Sequence, residues 1–579
     1  NGGVIDLSGV TLLRGGSGTS GGTDSVRVVA NTGGTVNFSG LQQIDGYVTF
    51  ATDAASFTLP SLVQAASVNY ELPDSATLSL PVLRLQNGGG LAITQGTTVA
   101  APKLEALKNA AVTFGGGAGS LNAPLLTDFS GSSLTLSNPA QVMTTAGLQQ
   151  IDNARFLLSN GTTFNQILDS EYVITAEAIA NTTVMSATGA GTVLDAGSIT
   201  TINSYVDVWG TNTRTISATN GGVIDLSGVT LLRGGSGTSG GTDSVRVVAN
   251  TGGTVNFSGL QQIDGYVTFA TDAASFTLPS LVQAGSVNYE LPDSATLSLP
   301  VLRLQNGGGL AITQGTTVAA PKLEALKNAA VTFGGGAGSL NAPLLTDFSG
   351  SSLTLSNPAQ VMTTAGLQQI DNARFLLSNG TTFNQILDSE YVITAEAIAN
   401  TTVMSATGSG TVLDAGSITK INSYVDVWGT NTRTISATNG GTIDLSGVTL
   451  LRGGSGASGG TDSVKVVANT GGLIDLSSLT TAEGNTSFQA LAGGTLRFGD
   501  LLISSNMAVT VADTTSVLEV KKGLALGTGS SIAVTGAGRV QIGRDFTHVL
   551  TAETAFACDT GVFQMNGSGT QLLEVAGAD

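Results

Sequence analysis

Three aspartates close a glycine-rich segment that can contribute oxygen ligands to a metal ion. The segment reads RGGSGTSGGTD in its first two copies and RGGSGASGGTD in the third, and its last residues are Asp24, Asp243 and Asp462. Calcium takes about six to eight oxygen ligands from carboxylates, carbonyl groups and water, whereas each copy supplies one carboxylate. These aspartates are therefore calcium candidates that depend on oxygens from elsewhere. The alternative is a glycine-rich loop that leaves the regular pattern of strands.

The spacing of this segment argues against a stacked calcium site. The segment is similar to the GGxGxD turns of calcium-binding β-rolls, in which the aspartate recurs about every nine residues and successive turns share ions. Here the segment occurs only at 14–24, 233–243 and 452–462, far apart along the chain. Apart from the three calcium candidates, we therefore expect neither a metal nor a cofactor.

The acidic residues include carboxylates of the kind that polysaccharide cleavage requires, but their positions in the sequence show no catalytic arrangement. Glycoside hydrolases use two carboxylates at a defined separation. Most aspartates of this chain stand in turn sequences such as LPDS and IDNA, where the side chain serves the backbone. His548 is the only histidine, which excludes a His-based triad from the repeats. We expect that the chain is not an enzyme, and we assign no catalytic residue.

The two tryptophans are the interaction candidates. Trp209 and Trp428 each lie in the sequence YVDVWGTNTR. An exposed tryptophan can form a platform for a sugar or a contact with another protein. The alternative is a large side chain that fills the interior at the junction between repeats.

The composition describes an acidic but weakly charged chain. Among its 579 residues, 11% are charged, 79 are glycine, and the net charge is −18. Binding of nucleic acid needs clustered lysine and arginine, so we expect no nucleic-acid partner. No apolar run reaches the roughly 18 residues of a membrane-spanning helix, and we expect no membrane span. The single cysteine, Cys558, excludes an intrachain disulfide.

A long repeat organises the sequence. Residues 1–219 return as 220–438 with three substitutions, and a third copy begins at residue 439 and later diverges. We divide the chain into a first segment (1–219), a near-identical second segment (220–438) and a partial third segment with a divergent end (439–579). The opening sequence NGGVIDLSG recurs at residue 220, so we expect the sequence to belong to a longer array. Duplication of a whole segment lengthens a stalk, whereas an enzyme gains little from a second copy of one site.

A shorter repeat of about 21–22 residues lies inside each long copy. In its typical form, ATLSLPVLRL, the alternation of Leu78 and Leu80 predicts a short strand, and Pro81 ends the strand because it cannot donate a ladder hydrogen bond. A unit of this length with two or three strands is one coil of a β-solenoid, stacked on the next coil at about 4.8 Å. We predict an all-β fold, a right-handed parallel β-solenoid with coils of about 21–22 residues that forms an elongated rod.

A leucine-rich repeat is the alternative fold, since its period is about 20–29 residues. Such repeats carry an asparagine or cysteine after the strand and a helix or 3-10 turn opposite it. In this sequence proline follows the strand, and the opposite arm alternates in the manner of AVTF and SVNY. The pattern favours the β-solenoid.

The closing segment carries a family resemblance. Residues 539–579 include RVQIGRDFTHV and GVFQMNGSGTQLLEVAGAD, and this segment resembles repeats of very large, repetitive bacterial cell-surface exoproteins and adhesins of the right-handed β-helix type. The resemblance implies a secreted fibre or adhesin displayed at the cell surface. It carries over no catalytic residue.

These observations predict a structural extracellular protein. We expect a stalk or fibre segment of a bacterial surface filament, sheath or adhesin that acts by rigid projection and self-association. Flat faces of serine, threonine and asparagine favour lateral association, because little charge repulsion or side-chain entropy opposes it. The expected partners are further copies of the chain or ligands on host or cell surfaces. The alternative is a glycan-binding or polysaccharide-processing β-helix module.

Overall fold

The computed structural model of the protein describes residues 2–16, 24–204, 210–235, 242–423, 430–454, 461–501, 503–504, 506–550 and 555–577. The chain forms two compact units, Asn1–Glu290 and Leu291–Asp579. In both units short strands pair in parallel with the strands of the next coil. The described residues contain no α-helix and two single-turn 3-10 helices, Glu177–Ile179 and Glu396–Ile398.

In the first unit a coil carries up to three strands, one on each of three faces. Face I consists of Val4–Asp6, Thr35–Asn37, Ser56–Thr58, Thr77–Ser79, Thr98–Ala100, Gly119–Asn122, Gln141–Thr144, Thr163–Phe164, Val193–Asp195, Val223–Asp225, Thr254–Asn256 and Ser275–Thr277. Face II consists of Leu12–Arg14, Gln43–Asp45, Ala106–Lys108, Glu171–Ile174, Thr201–Ser204, Leu231–Arg233, Gln262–Asp264 and Gln283–Ala284. Face III consists of Val26–Ala30, Val48–Thr52, Ala111–Phe114, Ser133–Leu136, Arg155–Ser159, Thr183–Thr188, Thr211–Thr219, Thr242–Asn250, Tyr266–Thr271 and Val287–Glu290. Two longer strands, Gln64–Glu71 and Leu85–Ile93, run through faces II and III.

The second unit repeats the three faces. Face I consists of Thr296–Ser298, Thr317–Ala319, Gly338–Asn341, Gln360–Thr363, Thr382–Phe383, Val412–Asp414, Thr442–Asp444, Leu473–Leu476, Thr495–Phe498, Val517–Val520, Arg539–Ile542 and Val562–Met565. Face II consists of Leu304–Asn306, Ala325–Lys327, Glu390–Ile393, Lys420–Ser423, Leu450–Arg452, Thr481–Glu483, Ile503–Ser504, Leu524–Leu526, Phe546–Leu550 and Leu573–Gly577. Face III consists of Gly308–Ile312, Ala330–Phe333, Ser352–Leu355, Arg374–Ser378, Thr402–Thr407, Thr430–Thr438, Thr461–Asn469, Asn485–Leu491, Met507–Ala512, Ser531–Thr535 and Phe556–Cys558.

The register of the strands reproduces the period of the sequence. Thr77 pairs with Thr98, which stands one short repeat further along the chain. Near the end of the first long segment the step lengthens, since Val193 pairs with Val223. The predicted parallel β-solenoid is therefore confirmed, with coils of two lengths.

The interior of each coil is built from the alternating apolar residues. In ATLSLPVLRL the side chains of Leu78, Leu80 and Leu83 are buried, while Ser79 between them is half-exposed. Leu78 pairs in the ladder with Val99, the equivalent apolar residue of the next coil. Burial of such side chains contributes roughly 1.5–3 kcal/mol each.

The corner after a face I strand is made in two ways. In one form the Leu83 amide donates to the Leu80 carbonyl at 3.3 Å, and Pro81 occupies the second position of the turn, which its fixed φ suits. In the other form serine stands in place of proline, and the Ser446 amide donates to Oδ1 of Asp444 at 2.8 Å. An outward aspartate thus accepts the hydrogen bond from an amide that proline does not have.

The arm opposite face I distinguishes the β-solenoid from a leucine-rich repeat. In a proline-containing coil this arm is the strand Ala111–Phe114, with Val112 and Phe114 buried. The strand pairs in parallel with Ser133–Leu136 of the following coil. A strand therefore occupies the place where a leucine-rich repeat has its helix.

Candidate functional site

Two of the three calcium candidates lie in the interior of the coil. Asp243 belongs to the face III strand Thr242–Asn250 and is 2% exposed, and Asp462 belongs to Thr461–Asn469 and is 1% exposed. Asp24, in contrast, is exposed. A buried carboxylate needs a charge partner or strong hydrogen-bond donors. In both buried cases an arginine lies beside it.

The arginines come from the preceding face III strand. Nη1 of Arg214 lies 3.5 Å from Oδ1 of Asp243, and Nη1 of Arg433 lies 3.4 Å from Oδ1 of Asp462. Both arginine side chains are completely buried. These are the largest fully buried side chains of the protein's described part, and they are charged.

Strand alternation explains why the arginine faces inward. In the strand Thr211–Thr219 (TNTRTISAT), the buried residues alternate with half-buried ones, so Arg214 shares the inward phase with Ile216 and Ala218. A one-residue shift of this strand would expose its apolar side chains. The arginine is therefore held inside by its apolar neighbours.

Two further buried polar side chains lie near each pair of arginine and aspartate. Asn212 pairs directly with Asp243 in the ladder and faces inward on the same strand as Arg214. Ser204 ends the face II strand Thr201–Ser204 and is fully buried. We call Ser204, Asn212, Arg214 and Asp243 the arginine cluster of the first unit.

The second unit holds the same cluster, formed by Ser423, Asn431, Arg433 and Asp462. Gly454 connects two of its members in space. A methyl group at Gly454 would lie 2.6 Å from Cβ of Asp462 and 3.1 Å from the Ser423 carbonyl oxygen. Only glycine allows this close approach, so the cluster is packed without room for a side chain at that position.

Burial dominates the electrostatics of the cluster. Loss of solvent lowers the pKa of the Arg214 guanidinium, and the negative charge of Asp243 partly opposes that change. The pKa of Arg433 is shifted in the same direction for the same reason, opposed by Asp462. Burial also raises the pKa of Tyr172, whose hydroxyl donates to the Ala154 carbonyl.

The arginine changes the chemistry available to the calcium candidates. A guanidinium 3.4–3.5 Å from Asp243 or Asp462 already supplies a cation to the carboxylate. Among the described residues, no three or more His, Cys, Asp or Glu side chains come together as a metal site. Calcium binding at Asp24, Asp243 and Asp462 stays a prediction, with arginine as the competing cation at the two buried positions.

A second group of charged residues lies at the corner between face II and face III. In the second unit Asp347 pairs in the ladder with Gln369, which lies two residues before Asp371 in the chain. Oδ2 of Asp388 accepts from the Ile370 amide at 3.0 Å. The aspartates that meet at these corners do not share one position within the short repeat of the sequence.

We call Asp347, Asp371, Asp388 and Glu390 the acidic corner. Within it, the pKa of the Asp371 carboxyl group is shifted. Its pKa is raised by burial and by the negative charges of Asp388, Glu390 and Asp347. A groove of about 260 Å³ lies beside it, with Lys327 and Ile398 among its lining residues. In the first unit, burial and two neighbouring aspartates raise the pKa of Asp152 in the same way.

Both tryptophans lie outside the described residues. The interaction sites that the sequence predicts at Trp209 and Trp428 fall in 205–209 and 424–429. They stay predictions.

The comparisons with known proteins give no relative. None of the family models, curated proteins and solved structures compared with the chain matches it. In the part of the chain that the structure describes, no helix has the length and apolar character needed to span a bilayer.

Proposed function

We propose that the chain is a structural segment of an extracellular bacterial surface protein, a stalk or fibre that acts by projection and self-association. The observation that carries this proposal is the repetition of one coil plan through the near-identical long segments 1–219 and 220–438 in a parallel β-solenoid. Each added coil extends the same ladders and the same apolar column. Length is the property that such a duplication changes.

The outward faces support a mechanical role. Small hydroxyl side chains bridge consecutive coils, as between Oγ1 of Thr188 and Oγ1 of Thr219 at 3.1 Å and between Oγ1 of Thr213 and Oγ of Ser244 at 2.9 Å. Exposed charges also connect coils, for example Nζ of Lys108 with Oδ2 of Asp128 at 2.7 Å. Such contacts connect each coil to the next.

Exposed apolar side chains that recur in both long copies support self-association. Val142 and Val361, at equivalent positions on face I, are 50% and 51% exposed. Leu168 and Leu387 are exposed to a similar extent. A second copy of the chain would remove these side chains from water.

Concentration-dependent assembly tests this proposal. We expect sedimentation velocity to show association as the protein concentration rises, and electron microscopy to show laterally paired particles. The Val142→Lys/Val361→Lys variant should stay monomeric at concentrations where the wild type associates. Thr144→Lys/Thr363→Lys, further along the same strands and also outward, is the matched control. A strictly monomeric wild type would rule out self-association.

The extracellular location needs a separate test. Antibodies raised against the chain should label intact cells of the organism that produces it. Labelling only after permeabilisation would contradict a surface protein.

A glycan-binding or polysaccharide-processing module is the second candidate, and the acidic corner favours it. A carboxyl group with a raised pKa beside a groove is the arrangement of a general acid, and Asp371 has both properties. The wild type should then bind or depolymerise a polysaccharide, and Asp152→Asn/Asp371→Asn should abolish the release of reducing ends. Asp74→Asn/Asp293→Asn, in the LPDS turns, is the control. No binding and no release by the wild type across a broad polysaccharide panel would remove this candidate.

A further inference from the structure

Among the residues that the structure describes, the arginine cluster contains buried hydrogen-bond donors that have no hydrogen-bond partner. In the first unit these are Nε and Nη2 of Arg214, Nδ2 of Asn212 and the hydroxyl of Ser204, while Nη1 of Arg214 has the ion pair with Asp243 at 3.5 Å. In the second unit Nε of Arg433, Nδ2 of Asn431 and the hydroxyl of Ser423 are unsatisfied in the same way. Nearly all buried donors in folded proteins have an acceptor. Nε of the arginine, Nδ2 of the asparagine and the serine hydroxyl are unsatisfied in both units, and these three donors point to an acceptor at each cluster.

The neighbouring aspartate does not fulfil this role for the whole guanidinium. A charge-assisted hydrogen bond between a guanidinium and a carboxylate is about 2.7–2.9 Å long, whereas the Nη1–Oδ1 separations are 3.5 Å for Arg214 and 3.4 Å for Arg433. The contact uses the Nη1 end of the group. Nε and Nη2 form the other edge of the guanidinium. In the second unit the only further acceptor for this edge among the described residues is the Ala395 carbonyl, 3.4 Å from Nη2.

The number and kind of donors identify the missing acceptor by its chemistry. A water molecule has two lone pairs and brings two donors of its own into a site that already has donors in excess. A halide ion accepts from many directions and brings no donor. It also carries the charge that a guanidinium edge attracts.

We propose that each arginine cluster binds one small monovalent anion of chloride size, held by Nε of the arginine, Nδ2 of the asparagine and the serine hydroxyl. The anion is small because all three side chains are at least nine-tenths buried between packed coils. The aspartate contacts Nη1 of the guanidinium, where its charge partly offsets that of the arginine. The chain therefore has two sites, one in each unit.

Bromide locates such a site directly, because it replaces chloride and scatters anomalously. Crystals of the full chain grown in sodium bromide should show two anomalous peaks, one at Nε of Arg214 and one at Nε of Arg433. Sodium bromide and sodium chloride should also raise the thermal unfolding midpoint in a saturable way relative to sodium gluconate at equal ionic strength. Gluconate is too large to enter a buried site of this size.

Conservative variants connect the two measurements to the cluster. Ser204→Ala/Ser423→Ala removes one donor from each site and should weaken the apparent halide affinity by about fivefold, the effect of one lost hydrogen bond. Thr213→Ala/Thr432→Ala changes the half-buried neighbour of the arginine on the same strand and should leave the affinity unchanged.

Three results would overturn the proposal. The first is an absence of anomalous density at both arginines, with a water molecule or the aspartate bound to Nε instead. The second is a bromide peak without a saturable halide effect in solution, which would mean binding at crystal concentration only. The third is equal loss of halide affinity in the serine and the threonine variants.

Discussion

At the scale of single residues, Leu80 and Ser79 are neighbours in the sequence whose side chains point in opposite directions. Leu80 is buried among apolar side chains and Ser79 lies on the half-exposed side of face I. The Leu80→Asp variant should lower the free energy of unfolding by more than about 3 kcal/mol, because it buries an unpaired charge. Urea unfolding followed by circular dichroism measures this change, and hydrogen exchange should show the largest loss of protection in this coil and its neighbours.

Ser79→Asp is the matched control for that variant. It should change the free energy of unfolding by less than about 0.5 kcal/mol, as is usual for surface substitutions. Equal destabilisation by the two aspartates would contradict the assignment of the inner and outer sides of the coil.

His548 provides a prediction about pH. The ring is fully buried beside Phe546 and Phe556, and Nε2 lies 3.2 Å from the Ser530 carbonyl oxygen. Burial lowers the pKa of this histidine below its ordinary value of 6.5. The unfolded chain therefore binds the proton more readily, so stability is fully present above pH 6.5 and falls as the pH drops below it, by at most about 1.4 kcal/mol per pH unit.

A variant separates this histidine from the carboxylates. His548→Leu should flatten the dependence of the urea midpoint on pH just below 6.5 for the coils around Phe546. In Asp347 the effect of burial is outweighed by hydrogen bonds from Lys327 and Ser349, so that its pKa is lowered. This group loses its stabilising contribution only below its ordinary value of 3.8, outside that window. An unchanged pH dependence in His548→Leu would show that another group titrates.

At the scale of the elements, the two forms of the face I corner exchange one interaction for another. Where proline follows the strand, no amide hydrogen needs an acceptor. Where serine follows it, the aspartate that ends the strand accepts the amide hydrogen, as Asp444 does for Ser446. Aspartate at the outward position and proline in the turn are therefore alternatives, and their effects on stability should be coupled.

A double-mutant cycle measures this coupling. Ser446→Pro alone removes the amide whose hydrogen bond Asp444 accepts and should destabilise the chain by about 1 kcal/mol. In the Asp444→Thr background the same substitution should be neutral or stabilising, because proline then only restricts the unfolded chain. Urea midpoints of the four proteins give the coupling energy. Additive effects would show that the two corners are not alternatives.

Local signals explain which elements the sequence could predict. The alternation of Leu78 and Leu80 and the proline after them are short-range patterns that define a strand and its end, and the period then defines the stacking. The interior position of Arg214 was not predicted, because its partner Asp243 belongs to the next coil. The alternation NTRTISA does contain the signal, since it places Arg214 in phase with Ile216.

The acidic corner was missed for a related reason. The separation of Asp347 and Asp371 in the sequence does not match the period of the alternating pairs. The corner between faces brings them to one place through a ladder bridge. The position of a residue within the short repeat does not predict which side chains meet at a corner between two faces.

At the scale of the whole molecule, the two long copies form their ladders in identical registers. Arg214 pairs with Val245 in the first unit, and Arg433 pairs with Val464 in the second. Removal of residues 220–438 would join residue 219 to Asn439, which takes the place of Asn220. Such a chain should fold, with the circular dichroism spectrum of a β protein and an unfolding midpoint close to that of the full chain.

An out-of-phase deletion is the control. Removal of residues 220–429 would join residue 219, the end of one face III strand, directly to Thr430, the start of another, and the coil would lack its strands on faces I and II. We expect this variant to aggregate. If the in-phase deletion failed to fold, the long copies would not be interchangeable units of one ladder.

The parallel ladders also determine how each unit would respond to mechanical force. Within a unit, the strands of one coil bond to the strands of the next coil side by side. When the chain is pulled along the stacking direction, the outermost coil bears the load alone, and its hydrogen bonds break in succession as in a zipper. Each released coil of about 22 residues lengthens the chain by roughly 70 Å. A tether of this kind would absorb sudden loads in small, repeated steps before any anchor at its ends failed.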